Sequence, residues 1–269
     1  MDEVYGLIGP NIMRHLVWEI DFQKQIIVLS KRLDKRQRDS ISIEIPLNGS
    51  NYLSTNIKFR SNGISKKVRI DFGNPEALSL TEDLLIEDSL NFKKKKILGI
   101  GSKGLGYANN NMSLDDQFYL VDSLIFVRSG YSVSNIPVDA SPSSFNFLGL
   151  GFFKKYKTII SWKDRVLILS PYDSIQNFVW KTHGFSTEYN EQNNKVEIAS
   201  ITDNTPASRA GLPLFSEVVS INQKTFSTPQ SYCEFEDSKL TNDTINIKVK
   251  HNDLIQVFEL IKEPLFDVE

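Results

Sequence analysis

Sulfur and imidazole are scarce in this sequence: one cysteine, Cys233, and three histidines stand among 269 residues. A lone thiol cannot close an internal disulfide, and no Cys/His spacing suits a bound metal. Charge of one sign is missing too. Lys and Arg number 31 against 33 Asp and Glu, a formal charge of -2, so no basic surplus exists to hold nucleic acid or anionic lipid. Long apolar runs are absent, since even Tyr119 to Val127 is broken by Asp122, well short of the ~18 residues of a membrane span. The start, Met1-Asp2-Glu3, is acidic with no apolar segment behind it and reads as lacking a signal peptide. There is no Gly-x-Ser-x-Gly elbow, and Cys233 has no nearby basic partner, which sets aside serine and cysteine hydrolases. With 40% apolar and 24% charged residues the chain is ordinary for a folded protein, which excludes disorder and collagen-like repeats. Its length suits one large domain or two modest ones, at about 100–200 residues each.

An internal repeat organises the chain. Leu7-Ile8-Gly9 through Ile26-Ile27-Val28-Leu29-Ser30 recurs as Phe147-Leu148-Gly149 through Val166-Leu167-Ile168-Leu169-Ser170, 140 positions later and without a gap over 24 positions. Each copy predicts an apolar-apolar-Gly turn, about one helical turn, and two short strands around a polar turn (Gln23-Lys24-Gln25; Lys163-Asp164-Arg165).

The segment between the copies is β-rich. Asn56-Ile57-Lys58-Phe59-Arg60 and Lys67-Val68-Arg69-Ile70-Asp71 alternate, joined by Ser61-Asn62-Gly63, a hairpin signal. Phe118 to Phe126 supplies further strand. Residues 31–44 read as a charged linker, and Lys93-Lys94-Lys95-Lys96 as a solvated loop. From Thr182 the texture changes. Strands are expected at Val196–Ile201, Glu217–Ile221, Thr244–Lys250 and Leu254–Ile261, with a short helix over Thr205–Leu212 and a second from Pro229, capped by Thr228 or Ser227.

The central hairpin runs into Asp71-Phe72-Gly73-Asn74. An Asp at a strand end before a tight glycine turn sets a carboxylate at a concave rim beside backbone amides. Two such carboxylates facing each other share a proton: one activates water while the other protonates the scissile carbonyl oxygen. With Phe147-Leu148-Gly149 following 76 residues later, these residues resemble the retropepsin-like aspartyl proteases, whose lobe carries an Asp-Thr/Ser-Gly loop and a later hydrophobic-hydrophobic-Gly motif. By that resemblance residues 45–170 are a complete lobe and residues 5–30 the tail of a preceding one. Asp71 and Gly73 are the catalytic-loop candidates, and the glycine-rich segment with Gly101 and Gly104 falls where a flap is expected. Two departures stand out. Phe72 replaces the Thr or Ser whose hydroxyl bonds across to the opposite loop, and Asn74 replaces a small residue. No second Asp-x-Gly in the sequence supplies a partner aspartate, so it would come from a preceding lobe or from a second copy in a symmetric homodimer. Two other matches, the kinase-like Asp71-Phe72-Gly73 and the G-x-G-x-x-G of Gly99 to Gly104, fail on order and on the helix breaker Gly106-Tyr107-Ala108-Asn109-Asn110-Asn111.

The C-terminal part is similar to a PDZ domain of the bacterial type. Thr205-Pro206-Ala207-Ser208-Arg209-Ala210-Gly211-Leu212 matches the Ser-Pro-Ala-x-x-Ala-Gly-Leu signature, and Leu214 through Gln223 stands for Gly-Asp-x-Ile-x-x-Ile-Asn-Gly. The resemblance implies that Gly184, Phe185 and Ser186 line a groove where a peptide adds as a strand and loop amides catch its carboxylate. His183 precedes that loop, placed to assist. A degenerate module that only packs against the lobe is the other reading.

The expectation is therefore a mainly-β protein: a lobe remnant at 1–30, a linker at 31–44, a retropepsin-like, closed-barrel-like lobe at 45–176 and a PDZ domain at 177–269. Its function would be peptide-bond hydrolysis through an aspartate dyad with peptide binding by the PDZ domain, or peptide binding without catalysis. Peptides or unfolded segments are the expected partners, with no nucleic acid, no membrane span, no metal and no cofactor. The family's members usually carry an export signal, so the resemblance implies a periplasmic or cell-envelope address for the parent protein.

Overall fold

The computed structural model describes residues 8–34, 41–49, 51–59, 65–81, 92–102, 111–113, 117–141, 145–172, 178–237 and 242–267. Strands hold 55% of the described residues and the longest described helix has nine residues, so the protein is mainly β. It divides into two compact units, one of Gly6–Lys94 with Phe118–Val179, the other including Lys95–Gln117 and Trp180–Glu269.

The first unit contains β1 (Val17–Asp21), β2 (Ile26–Ser30), β3 (Ile43–Pro46), β4 (Ser54–Phe59), β5 (Ser65–Asp71) and β6 (Leu78–Thr81). It also contains β9 (Gln117–Phe126), β10 (Ser132–Ser141), β11 (Phe147–Gly149), β12 (Tyr156–Ser161) and β13 (Val166–Pro171), with two short helices, α1 (Pro10–Met13) and α2 (Leu150–Phe153). Six strands run in the order β10-β6-β11-β5-β4-β9, and a β10–β9 pairing closes them into a barrel. Alternation explains the inside: Ile57 and Phe59 of β4 are buried while Asn56 and Lys58 are half-buried. Strand β11 lies parallel to β5 and antiparallel to β6, inserted between them. Its successor α2 drives Phe152 and Phe153 into the core, both fully buried, each contributing about 1.5–3 kcal/mol of burial.

The repeat forms a second sheet, in the order β2-β1-β12-β13-β3. The expected helical turn and two strands of each copy are present, but Phe147–Gly149, expected as a turn, is strand β11, drawn into the barrel by its pairing with β5 and β6. Copy one meets copy two at β1 and β12, which pair antiparallel with Trp18 opposite Ile160, Glu19 opposite Ile159 and Ile20 opposite Thr158. Glu19 and Ile159 are also 140 positions apart, so the pairing is symmetric about that position and the two hairpins are related by a local two-fold.

The second unit holds β7 (Lys93–Ser102), which begins in the first, and β8 (Asn111–Ser113), β14 (Lys181–Thr182), β15 (Phe185–Asn190), β16 (Lys195–Thr202), β17 (Glu217–Ile221), β18 (Thr244–His251), β19 (Leu254–Ile261) and β20 (Glu263–Pro264). Its helices are α3 (Pro206–Arg209) and α4 (Pro229–Asp237). Strands β16, β17, β18 and β19 follow one another in the sheet, β15 pairs with β16, and β14 pairs with β20. Val196, Ile198, Ile245, Ile247 and Leu260 pack beneath α3 and α4 residues Ala207 and Phe235. Thr228 caps α4, its Oγ1 accepting from the Ser231 amide at 3.1 Å.

One expectation is corrected here. The run Lys93 to Lys96 is the start of β7, not a loop. Lysine stems lie along a strand surface while the ammonium heads stay in water; Lys93, Lys94 and Lys96 are exposed, and Lys95 Nζ donates to the Asn204 carbonyl at 2.6 Å. Burial holds the Lys95 ammonium below its ordinary range, helped by the nearby Arg209 charge. The chain beyond this run, at Ile97, Leu98 and Gly99, pairs with β16 at Thr202, Ile201 and Ser200. Gly99 is required there: its φ is +130°, and a Cβ would come within 2.2 Å of the Ala199 carbonyl oxygen.

Candidate functional site

Asp71 ends β5, and Gly149 of β11 stands beside it in the parallel pairing. The two segments approach closely because Gly149 has no side chain; a Cβ would lie 2.3 Å from the Glu76 carbonyl oxygen and 2.7 Å from that of Asn74. Backbone bonds lock the crossing, from the Gly149 amide to the Ala77 carbonyl at 3.1 Å and from the Leu150 amide to the Asn74 carbonyl at 2.7 Å. Within the loop the Gly73 amide donates to Asp71 Oδ1 at 2.9 Å. Asp71 is half-buried and Gly73 exposed. The two sequence-predicted residues are thus joined by one hydrogen bond at the barrel rim.

Phe72 turns inward. Its ring lies 4.5 Å from that of Phe153, centroid to centroid, so the side chain adds to the core where a hydroxyl would have reached outward. Asn74, which the sequence marked only as a departure, closes the loop instead. Its Nδ2 donates to Ser79 Oγ at 2.8 Å and its Oδ1 accepts from the Glu76 amide at 3.1 Å.

In the second unit Gly184 sits at φ +88°, where a Cβ would fall 1.9 Å from Thr205 Oγ1. The glycine admits the start of α3 against the loop. Its amide is already used, donating to Thr182 Oγ1 at 2.9 Å. His183 is buried, its Nε2 donating to the Asp243 carbonyl at 3.2 Å. Burial lowers its pKa, opposed by that bond, so the ring is a neutral packed group. Phe185 packs on the unit's core, and Ser186 Oγ bonds Ser200 Oγ at 2.6 Å. Phe185 points into the fold while Ser186 stays exposed beside Ser200, and the outer backbone edge of β15 has no strand partner among the described residues.

Helix α4 lies along that edge. Tyr232 Oη donates to the Thr187 carbonyl at 2.7 Å and also meets Thr187 Oγ1 at 3.0 Å. Sequence reasoning missed Tyr232, because nothing in a nine-residue helix says which side chain reaches a strand 45 residues earlier. Of the flap candidates, Gly101 lies in β7 opposite Met112 of β8, and Gly104 is outside the described residues. Among the described residues no cluster of three or more His, Cys, Asp or Glu could hold a metal, and no helix is long and apolar enough to cross a membrane.

No protein-family model matches the chain, and no curated protein matches it. Solved structures of proteases are similar to it. A retropepsin-like aspartic protease from Rickettsia conorii is 18% identical over 48% of this chain and 89% of its own, with a TM-score of 0.31. The HtrA-type protease AlgW, solved with a decapeptide, is 12% identical over 84% of this chain and 83% of its own, with a TM-score of 0.30. The same protease with a tripeptide is 14% identical over 93% of each chain, with a TM-score of 0.27. At TM-scores this low none of these likenesses assigns the protein a role.

Proposed function

We propose that this chain is the Asp71-bearing half of an aspartyl-peptidase-like protein, joined to a peptide-binding PDZ-like domain at 177–269. The observation that carries the reading is the crossing of β11 at the foot of the Asp71 loop, with Gly149 parallel to Asp71 and packed on the Asn74 and Glu76 backbone. Such a crossing fixes a strand-end carboxylate rigidly at a rim, which is what acid–base chemistry on a bound peptide requires. With a second carboxyl facing it, the ionised member accepts a proton from water as the water oxygen bonds the peptide carbonyl carbon. The protonated member delivers its proton to the carbonyl oxygen; the carboxyl that took water's proton then gives it to the nitrogen, and as the C–N bond breaks a hydroxyl of the tetrahedral carbon returns its proton to the other carboxylate, leaving acid and amine. Gly73 holds one Asp71 oxygen, leaving the other for the shared proton.

A second reading, peptide binding without catalysis, draws on Phe72. Packed against Phe153, it cannot brace an opposing loop as a hydroxyl would. The test is cleavage of an unfolded protein substrate by the full chain preceded by a second copy of residues 41–146, which supplies the facing Asp71 loop, and by the same protein with Asp71→Asn in the chain. Cleavage that disappears in Asp71→Asn supports the peptidase; cleavage unaffected by the change, or absent from both while a peptide still binds, leaves the binding reading.

A further inference from the structure

On β5 the core face is made by Val68 and Ile70, so Lys67, Arg69 and Asp71 share the outer face. Lys67 and Arg69 are exposed, and among the described residues neither side chain has a carboxylate partner. They border a concave pocket of about 210 Å³ whose other walls are Phe145 and Asn146. That volume is below the ~300–1,000 Å³ of sites for whole small molecules and suits one amino-acid side chain. The walls are held in place. The Arg69 guanidinium lies 5.5 Å from the centroid of the Tyr52 ring, an attraction that steadies its fork while leaving the N–H donors free. The Asn146 carbonyl accepts from the Arg69 amide at 2.9 Å and its Oδ1 from the Thr81 amide at 3.2 Å, so Nδ2 remains to donate. Phe145 is 66% exposed and rests on Phe147, 5.9 Å away between ring centroids.

We propose that this pocket selects an acidic side chain, Glu or Asp, in a peptide lying across the Asp71 loop. Parallel pairing sets Phe147 beside Arg69 and Gly149 beside Asp71. The pocket therefore stands two strand residues, about 6.6 Å, from Asp71 on the same face. Two residues of an extended peptide span the same distance, so a peptide bond held at Asp71 has a side chain within reach of the pocket. A carboxylate entering it meets the paired N–H groups of the Arg69 fork and the Lys67 ammonium, while the Phe145 ring covers its methylenes. A polyanion does not fit the same surface. The whole chain carries a formal charge of -2, and two cations are too few to follow a nucleic-acid backbone. The inference rests on the Asp71 reading for the path of the peptide and on the pocket for the choice of residue.

The test is titration of the full chain with two decapeptides, N-acetylated and C-terminally amidated so that no terminal carboxylate is offered to the β15 edge. They differ only in a central Glu or Gln within an otherwise uncharged sequence. The Glu peptide should bind about tenfold tighter, the worth of one charge-assisted hydrogen bond at an exposed site. Arg69→Gln should erase the difference, and Lys67→Glu with Arg69→Glu should turn the preference toward a Lys peptide. Lys154→Gln, which removes an exposed cation outside the pocket, should leave the preference intact. Equal binding of the two peptides, or binding of neither, overturns the inference. So does a preference that survives Arg69→Gln, or one lost in Lys154→Gln, since general charge attraction would then account for it. The peptidase reading fails separately: cleavage indifferent to Asp71→Asn beside an intact Glu preference removes the chemistry and keeps the pocket, and Asp71-dependent cleavage without the preference does the reverse.

Discussion

Glu19 stands opposite Ile159 in the sheet that joins the two copies of the repeat, and Ile159 is also the residue that replaces it 140 positions on. A duplicated hairpin has paired with its own duplicate about a two-fold axis. Everything asymmetric in this unit follows from one copy having a barrel over it and the other not.

That asymmetry predicts unequal costs at equivalent positions. Phe152→Ala empties a fully buried site and should destabilise the first unit by about 3–5 kcal/mol. Ile12→Ala, at the matching place, should stay within about 0.5 kcal/mol. Denaturant unfolding of the two variants measures both.

Gly149→Ala should loosen the Asp71 loop. The new methyl would stand 2.3 Å from the Glu76 carbonyl oxygen, so backbone must move, at a cost of about 2–4 kcal/mol. Unfolding curves should show the loss, and hydrogen exchange at residues 71–77 should rise with it.

His183 gives the second unit a pH dependence of known sign. Burial depresses its folded pKa, with the bond to the Asp243 carbonyl opposing, while the unfolded ring titrates near the ordinary value of about 6.5. Below that value the unfolded state binds the extra proton, so stability is full at neutral pH and falls as pH drops toward the folded pKa. His183→Gln should flatten the stability profile below about pH 6.5. An unchanged slope would place the titration elsewhere.

Tyr232 guards the open edge of β15. Its hydroxyl takes the Thr187 carbonyl, an acceptor that an added peptide strand would use. Tyr232→Phe should tighten binding of a peptide with an apolar C-terminus several-fold while lowering stability by about 1 kcal/mol, read by titration calorimetry and by unfolding.

Much of this was legible in the sequence, for reasons that are local. The gapless repeat announced both hairpins, period-two alternation announced β4 and β5, and the Thr205 to Leu212 signature announced α3 with its positive-φ glycine. Contacts across long separations were not legible. Tyr232 meets Thr187 across 45 residues, and Gly149 meets Asn74 across 75, and no spacing rule links them. Lys93 to Lys96 misled because charge is a property of side-chain tips, whereas a strand is made by backbone. Phe72 was visible as a departure, but its turn toward Phe153 needed coordinates.

The central claim is that Asp71 sits in a loop built for proton transfer and that Phe72 withholds a bracing hydroxyl. Its most direct test is peptide cleavage by the full chain preceded by a second copy of residues 41–146, which supplies the facing Asp71 loop, with Asp71→Asn and Phe72→Thr made in the chain and assayed side by side on one unfolded substrate. The account predicts that Phe72→Thr raises the rate up to about tenfold, what one added bracing hydrogen bond is worth, and that Asp71→Asn abolishes it. Rates indifferent to both changes would contradict it.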